Sequence, residues 1–411
     1  MHFPFIITRE GIAYLFVLAF VLAVAILRDI NLLYVVAGLM IGPLVFNGVI
    51  AALVPRGVQV KRHLPEALEA GDELIAHLSL ANPRQRLAAW LVVVTDTLER
   101  HRAPLRQRRV AASAWFPHVP PGATRHTTYR GRLTERGRYR FGPLRLSCRF
   151  PLGLLRRTVT IDAPDTLVVY PRLATLTEKA RALWRQTARG ERSAHRRGRG
   201  EAEFHGLRDW QRGDSRRWIH WRSSARRGEI VVREFEHQEH HDLAILLDLT
   251  ATGNITRRQV EITERAVSIA ATFAAQACAE PAARVVLAIA ADREVVLSGG
   301  SSTSLRGEML AALAEVEAHA LASAEDARMH AARLKAAMDE ITRFARSDTP
   351  VVVVSSRSQL ELADQAASTS LGKLPNSWIV ISAAEPDNQY VVFEQSAISP
   401  PNQQVPRPSN T

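Results

Sequence analysis

The chain opens on two long runs without charge. Gly11 to Leu27 is the first, and after Arg28-Asp29 a second runs from Ile30 to Val54. A membrane-crossing helix needs about 20 apolar residues, so the pattern predicts a transmembrane helical hairpin over residues 1–56. Ala23-Val24-Ala25 behind the basic Arg9 offers an alternative, the cleavage site of a signal peptide. The hairpin fits better, because a second, longer apolar run containing Gly38, Gly42, Pro43 and Gly48 follows almost at once, where mature protein would turn polar.

From Val58 the pattern changes to short, often β-branched segments separated by turn residues, which predicts a β-sandwich-like domain over 57–175. The segments are Leu74 to Leu80, Leu91 to Asp96, Thr127 to Leu133, Tyr139 to Ser147 and Thr166 to Tyr170, with turns at Asn82-Pro83, Pro120-Pro121-Gly122 and Arg136-Gly137. Residues 176–200 read as a basic linker. Ala180, Leu183 and Trp184 suit a short helix in its first half, and Arg192, Arg196, Arg197 and Arg199 stand among Gly and Ser in its second, which reads as mobile.

Over 242–396 strand and helix patterns alternate. The expected order is strand Leu243 to Leu249, helix Arg257 to Cys278, strand Arg284 to Ala290, short strand Glu294 to Leu297, helices Leu305 to Ala322 and Glu325 to Arg346, strand Val351 to Ser355, helix Gln359 to Ala367 and strand Trp378 to Ser382. Such alternation predicts a parallel sheet covered by helices on both faces. Asp248 then stands at the carboxyl end of a central strand, where open α/β sheets bind ligands. The tail 397–411, with Pro400, Pro401, Pro406 and Pro408, reads as disordered.

Charge adds partners and orientation to this outline. The formal net charge is +12 and the pI about 10.5, with much of the excess between Arg181 and Arg233. A strongly basic chain invites nucleic acid or anionic lipid. Arginines interleaved with Trp210, Trp218 and Trp221 suit single-stranded nucleic acid in particular, although no helix-turn-helix, RNP or zinc-finger pattern accompanies them. Arg9, Arg56, Lys61 and Arg62 flank the outer ends of the two apolar runs against a lone Arg28 in the connecting turn, which orients both ends of the hairpin to the cytoplasm. Two cysteines, Cys148 and Cys278, are too few for a disulfide framework and read as small core residues.

The densest pattern of special residues lies at 201–241. Glu203, Phe204, Gly206, Leu207, Arg208, Gly213, Asp214, Arg217, Ile219, Trp221, Ala225, Arg226, Gly228, Val232, Arg233, Glu234 and Glu236 stand at fixed offsets. In this register the segment resembles the core motif of the bacterial DUF58 family, with Trp210 where an aromatic Tyr is usual and Ile230 where Leu is usual. Gly137 to Leu144 and Phe150 to Leu154 also resemble the sequence ahead of that motif. Phe150 and Leu152 replace its usual Asp and Phe, which puts any role for that Asp in doubt.

The resemblance implies a multidomain fold: an N-terminal transmembrane helical hairpin, a β-sandwich-like domain, then an α/β von Willebrand factor A-like (Rossmann-type) domain. Such domains hold a divalent cation on a D-x-[ST]-x-[ST] loop, matched here by Asp248, Thr250 and Thr252. Mg²⁺ is therefore the candidate cofactor, since a carboxylate and two hydroxyls offer a hard ion oxygen ligands. The rest of that site is thin, with Ser355-Ser356 where a later Asp is usual and Thr303 as the candidate distant Thr. The alternative is that Asp248 and Thr250 cap the following loop and helix.

Family members are commonly found beside MoxR-type AAA+ ATPases, so the resemblance implies a non-catalytic adaptor at the inner (cytoplasmic) membrane with its soluble domains in the cytoplasm. Arg208, Asp214, Arg217, Trp221, Arg226, Arg233 and Glu234 are the candidate partner-binding residues. The competing expectation is that Arg217, Arg226 and Arg233 pair with Asp214, Glu229 or Glu234 to brace the entry to the α/β domain, with Trp221 as a packing anchor. His237, His240 and His241 invite zinc, but along a strand His240 points away from the other two. Arg212-Gly213-Asp214 spells an integrin tripeptide and is read as coincidence. No catalytic triad order, P-loop or H-E-x-x-H pattern appears. A membrane-tethered nucleic-acid-binding protein is the second reading, and a cell-envelope hydrolase using Glu201 and Glu203 the third.

Overall fold

The computed structural model describes residues 5–101, 109–182, 203–211, 214, 216–236, 242–252, 256–344, 349–358, 378–385 and 390–393. The chain divides into two units, Met1–Arg172 and Leu173–Thr411. The expected helix over 359–367, the second half of the basic linker, the histidines 237–241 and the tail fall outside the described residues.

In the N-terminal unit a short strand, β1 (Phe5–Ile7), leads into α1 (Arg9–Arg28) and α2 (Asn31–Leu53). Both helices are long and apolar enough to cross a membrane, with mean hydropathies of 2.5 and 2.1, which is consistent with membrane anchoring. Thr8 caps α1 by accepting the Gly11 N–H at 3.1 Å, and Asp29 adopts a left-handed φ of 51° to turn the chain. The hairpin is tied to the strands that follow. Asn47, buried in α2, accepts the Leu155 N–H at 2.9 Å, β1 pairs with β10 (Leu155–Ile161), and a Cβ at Gly11 would collide with the Leu154 carbonyl.

The remaining strands of this unit form two sheets. β2 (Gln59–His63), β4 (Glu73–Ala81) and β7 (Thr124–Arg132) make an antiparallel three-stranded sheet. The larger sheet holds β3 (Leu68–Glu69), β5 (Ala89–Arg100), β6 (Arg109–Val119), β8 (Gly137–Phe141), β9 (Leu144–Cys148), β10 and β11 (Asp165–Tyr170), in addition to β1. Inward residues of both sheets meet in one core: Ala76, Leu78 and Leu80 face Val92, Val94, Phe116, Leu144 and Leu146. Each fully buried Leu or Phe contributes about 2 kcal/mol. The expected single strand Tyr139 to Ser147 is instead two, because Pro143 has no N–H to give a ladder. There Gly142 turns the chain and donates its N–H to the Thr97 carbonyl at 2.7 Å.

In the C-terminal unit β13 (Glu203–Asp209) and β14 (Val231–Glu236) form an antiparallel pair bracketing a 3₁₀ turn (Arg216–Trp218) and α3 (Trp221–Arg227). A five-stranded sheet follows. Its order is β18 (Glu294–Gly300), β17 (Arg284–Ala290), β15 (Leu243–Asp248), β20 (Val351–Ser355) and β21 (Trp378–Ser382). Four strands are parallel and the edge strand β18 is antiparallel, so the sheet is mixed where the sequence predicts a parallel one.

Every residue of β15 is buried, as expected of a central strand covered on both faces. Ala244 and Leu246 pack against Leu334, Ala337 and Ile341 of α6 (Ala324–Phe344), and α4 (Arg257–Ala279) also packs on the sheet. A capping box, Thr256 with Gln259, opens α4. α5 (Thr303–Glu315) is shorter than the periodicity predicts, because His319–Leu321 leaves the helix pattern to become strand β19, paired in parallel with β16 (Thr250–Thr252). Strands β12 (Thr175–Leu176) and β22 (Val391–Val392) pair with each other.

Candidate functional site

Two places in the C-terminal unit concentrate polar chemistry. The first is the β13–α3–β14 module, which Ile219, Val231 and Val232 hold together as a small buried core. The His220 ring nitrogen Nδ1 accepts the Ser223 N–H and starts α3, while Gly228, with a left-handed φ of 77°, ends it. Buried Ser224 accepts the Val231 N–H at 2.9 Å and so fixes the helix on β14. These contacts set a short helix in the middle of a hairpin, which explains Gly228 of the motif together with His220 and Ser224 beside it.

Arg208 and Asp214 are each other's partners. The guanidinium donates to both carboxylate oxygens at 2.7 Å, and the Gln211 N–H adds a third bond at 2.9 Å. The Arg208 hydrogen bond holds the Asp214 carboxyl below its ordinary value. The pair braces the turn after β13. This corrects the expected pairing of Asp214 with Arg217, Arg226 or Arg233, since Arg208 fills both of its oxygens.

Trp221 corrects the sequence reading more sharply: it is 68% exposed, on the open side of α3, and not a packing anchor. Trp210, Trp218 and Ile230 are exposed as well, beside exposed Arg216, Arg217, Arg222, Arg226 and Arg227. Arg233 and Glu234 lie on β14, and their side chains, like that of Glu203, fall outside the described residues. Gly213 and Glu201 fall outside altogether. The result is a small module that exposes several indoles and guanidiniums. Large exposed aromatics rimmed by charge mark interaction surfaces more often than catalytic ones.

The second place is the carboxyl end of the five-stranded sheet. Asp248 ends β15, is 1% exposed, and points by strand alternation to the α6 face. His330 of α6 lies with Nε2 2.6 Å from Asp248 Oδ1, and an ionised carboxylate can only accept, so Nε2 carries the proton. Ser355 at the end of β20 donates to Oδ2 at 2.7 Å. Arg357 then brings Nε to 3.6 Å from Oδ2 and donates to Thr250 Oγ1 at 2.8 Å. Burial pushes the Asp248 carboxyl up. The His330 hydrogen bond and the charge of Arg357 outweigh it and hold the group below the ordinary carboxylate value. The His330 ring stacks on His319 of β19 with centroids 5.7 Å apart.

The cation site that the resemblance implies does not fit this arrangement. Asp248 spends both oxygens on protein donors, and Thr250 Oγ1 faces a guanidinium. Thr252 lies on β16 with its side chain outside the described residues. Thr303 cannot complete the site. It follows β18, whose Gly300 pairs with Arg284 at the opposite end of β17 from Ala290, the residue beside Asp248. Among the described residues no group of three or more His, Cys, Asp or Glu could hold a metal ion. The sequence reading missed His330, Ser355 and Arg357. A signal for His330 was present: it takes a buried place in the helical stripe His330, Leu334, Ala337, Ile341, where an apolar residue is expected.

Comparison with known proteins follows from the second unit. Residues 206–372 match the family described as "Protein of unknown function DUF58". "Uncharacterized protein YeaD" of Bacillus subtilis (strain 168) is 28% identical over 212 residues, which cover 50% of this chain and 52% of that protein. The chain thus spans about half the length of the curated relative it matches. Both findings support a DUF58 family assignment for the part they cover. Among solved structures, a β-glucosidase from Listeria innocua in complex with gluconolactone is 16% identical with a TM-score of 0.19, covering 27% of this chain and 16% of that one. The sporulation control protein Spo0M from Bacillus subtilis is 10% identical with a TM-score of 0.19, covering 38% and 58%. Likenesses at this level carry no argument.

Proposed function

We propose that the chain is a membrane-anchored, non-catalytic adaptor that docks a protein partner on the face carrying Trp221 and its arginines. The observation that carries this reading is the exposure of Trp210, Trp218 and Trp221 on one small module braced by Arg208 and Asp214. A folded hairpin that spends hydrogen bonds to hold indoles in water is easier to explain as a docking surface than as a core. Arg217 and Arg226 are exposed on the same module, and Arg233 and Glu234 lie on its strand β14. The family resemblance makes a MoxR-type AAA+ ATPase the expected partner.

The finer reading of the C-terminal unit as von Willebrand factor A-like rests on its parallel strands and on a carboxylate at the carboxyl end of the central one. The two apolar helices would hold the assembly at the inner membrane, with the soluble units on the cytoplasmic side. Two experiments test this reading. Labelling of single cysteines introduced into the soluble units, by an impermeant reagent on intact cells, should give no signal. Detergent-solubilised full-length protein pulled from its native membrane should bring a nucleotide-dependent AAA+ ATPase with it.

The exposed tryptophans also favour a second reading. Indoles among arginines suit stacking on single-stranded nucleic acid, and binding whose affinity falls steeply with salt would support it.

A further inference from the structure

We propose that Arg357 is the built-in cation of the Asp248 loop, standing where the resemblance implies a divalent metal. The position is constructed by three adjacent strand ends. Asp248 and Ser355 are register partners on β15 and β20, so the chain leaving β20 passes directly beside the carboxylate. Ser356 donates its N–H to the Asp248 carbonyl at 3.0 Å, and its hydroxyl accepts the Thr250 N–H at 2.8 Å and donates to the Thr250 carbonyl at 2.9 Å. The Arg357 N–H donates to Ser355 Oγ at 3.1 Å, and Ser382 of β21 donates its hydroxyl to the Arg357 carbonyl at 2.7 Å. The backbone of Arg357 is therefore held from both sides before its side chain is considered.

The side chain then turns back over the loop. Its Nε is shared between Thr250 Oγ1 and Asp248 Oδ2, and the side chain is 11% exposed. A guanidinium stays protonated at any physiological pH. It neutralises the same carboxylate and engages the same threonine hydroxyl that a divalent ion would use. A metal placed there would meet a fixed positive charge at close range in a site largely closed to water, where such repulsion is poorly screened. It would also have to take Asp248 oxygens already bonded to His330 and Ser355. The loop is thus complete without metal, its carboxylate already shared among His330, Ser355 and Arg357. This assignment stands whether or not the adaptor reading holds.

The test uses the full chain in detergent. Paramagnetic resonance of added Mn²⁺ should show the free-ion signal undiminished by wild-type protein, and Mg²⁺ should leave Tm unchanged. Arg357→Ala should lower Tm by about 10 °C, the loss expected when a buried carboxylate keeps no counter-charge. In an Asp248→Asn background the same substitution should cost a small fraction of that. Mn²⁺ binding by wild type that Asp248→Asn abolishes would overturn the proposal, as would an equal Tm loss in both backgrounds. If Asp248→Asn does not fold, Arg357→Lys and Arg357→Gln replace the second background: the charge-keeping Lys should retain most of the Tm that the neutral Gln loses, and equal losses would overturn the proposal.

Discussion

Asp96 and Asp248 are both buried aspartates next to an arginine, one in each unit, and they are built differently. Asp96 lies mid-strand in β5, between two sheets. Arg62 from β2 donates to both of its oxygens at 2.7 Å, and the Tyr129 hydroxyl donates to Oδ2 at 2.7 Å. Two further Arg62 N–H groups reach the Ala163 and Gly142 carbonyls, and its guanidinium lies 4.8 Å from the centre of the Phe141 ring. Its side chain is 2% exposed. Asp248 lies at a strand end, and its arginine arrives from the loop after the neighbouring strand. A buried charge inside a sandwich ties two sheets together, whereas one at the carboxyl end of a parallel sheet ties down the loops at the end where open α/β sheets bind ligands.

The comparison breaks first at Asp96. Arg62→Ala should cost about 3–5 kcal/mol, because it leaves a fully buried carboxylate without its counter-charge. Denaturant unfolding of the full chain should show this as an early transition of the N-terminal unit. Phenol chemistry gives a second probe of the same place, since burial and then the Asp96 charge push the Tyr129 hydroxyl up. Its ultraviolet titration should stay silent until that unit unfolds in alkali.

At the rim, His330→Ala should cost about 2–4 kcal/mol, from a lost charge-assisted hydrogen bond and a cavity beneath α6. Thermal unfolding measures it, and Arg62→Ala should exceed it. Acid sharpens the contrast further. The native pKa of Asp248 lies below its unfolded value, so its stabilising contribution is complete above the unfolded value and vanishes as pH falls through the native one. Arg357→Ala should therefore move acid unfolding of the C-terminal unit to higher pH. The smallest stability effect belongs to the exposed module: Trp221→Ala and Arg226→Ala should leave Tm within about 2 °C. Partner binding should nevertheless weaken at least about tenfold, as at interface hot spots.

The sequence made some of this legible and hid the rest for physical reasons. The apolar runs and the α/β alternation announce themselves because burial imposes their periods locally. Strands β2, β6 and β10 escaped, since QVKRH, RVAASAWFPHV and LRRTVTI expose or half-bury much of what they carry. Asp248 was readable from its place after an apolar strand. His330 was marked only as a polar residue in an apolar helical stripe and Arg357 not at all, because they meet Asp248 across 82 and 109 residues of sequence through α6 packing and β15–β20 register. Trp221 misled because a tryptophan inside a dense motif suggests a core, while the α3 helix that turns it outward is set by His220, Ser224 and Gly228.

The most direct test of the docking account compares wild type with a Trp221→Ala, Arg226→Glu double variant in the pull-down from native membranes, with Mg²⁺ and ATP present. The account predicts that wild type recovers a nucleotide-dependent ATPase and that the equally folded variant does not. Equal recovery by both proteins, or recovery of nucleic acid in place of an ATPase, would contradict it.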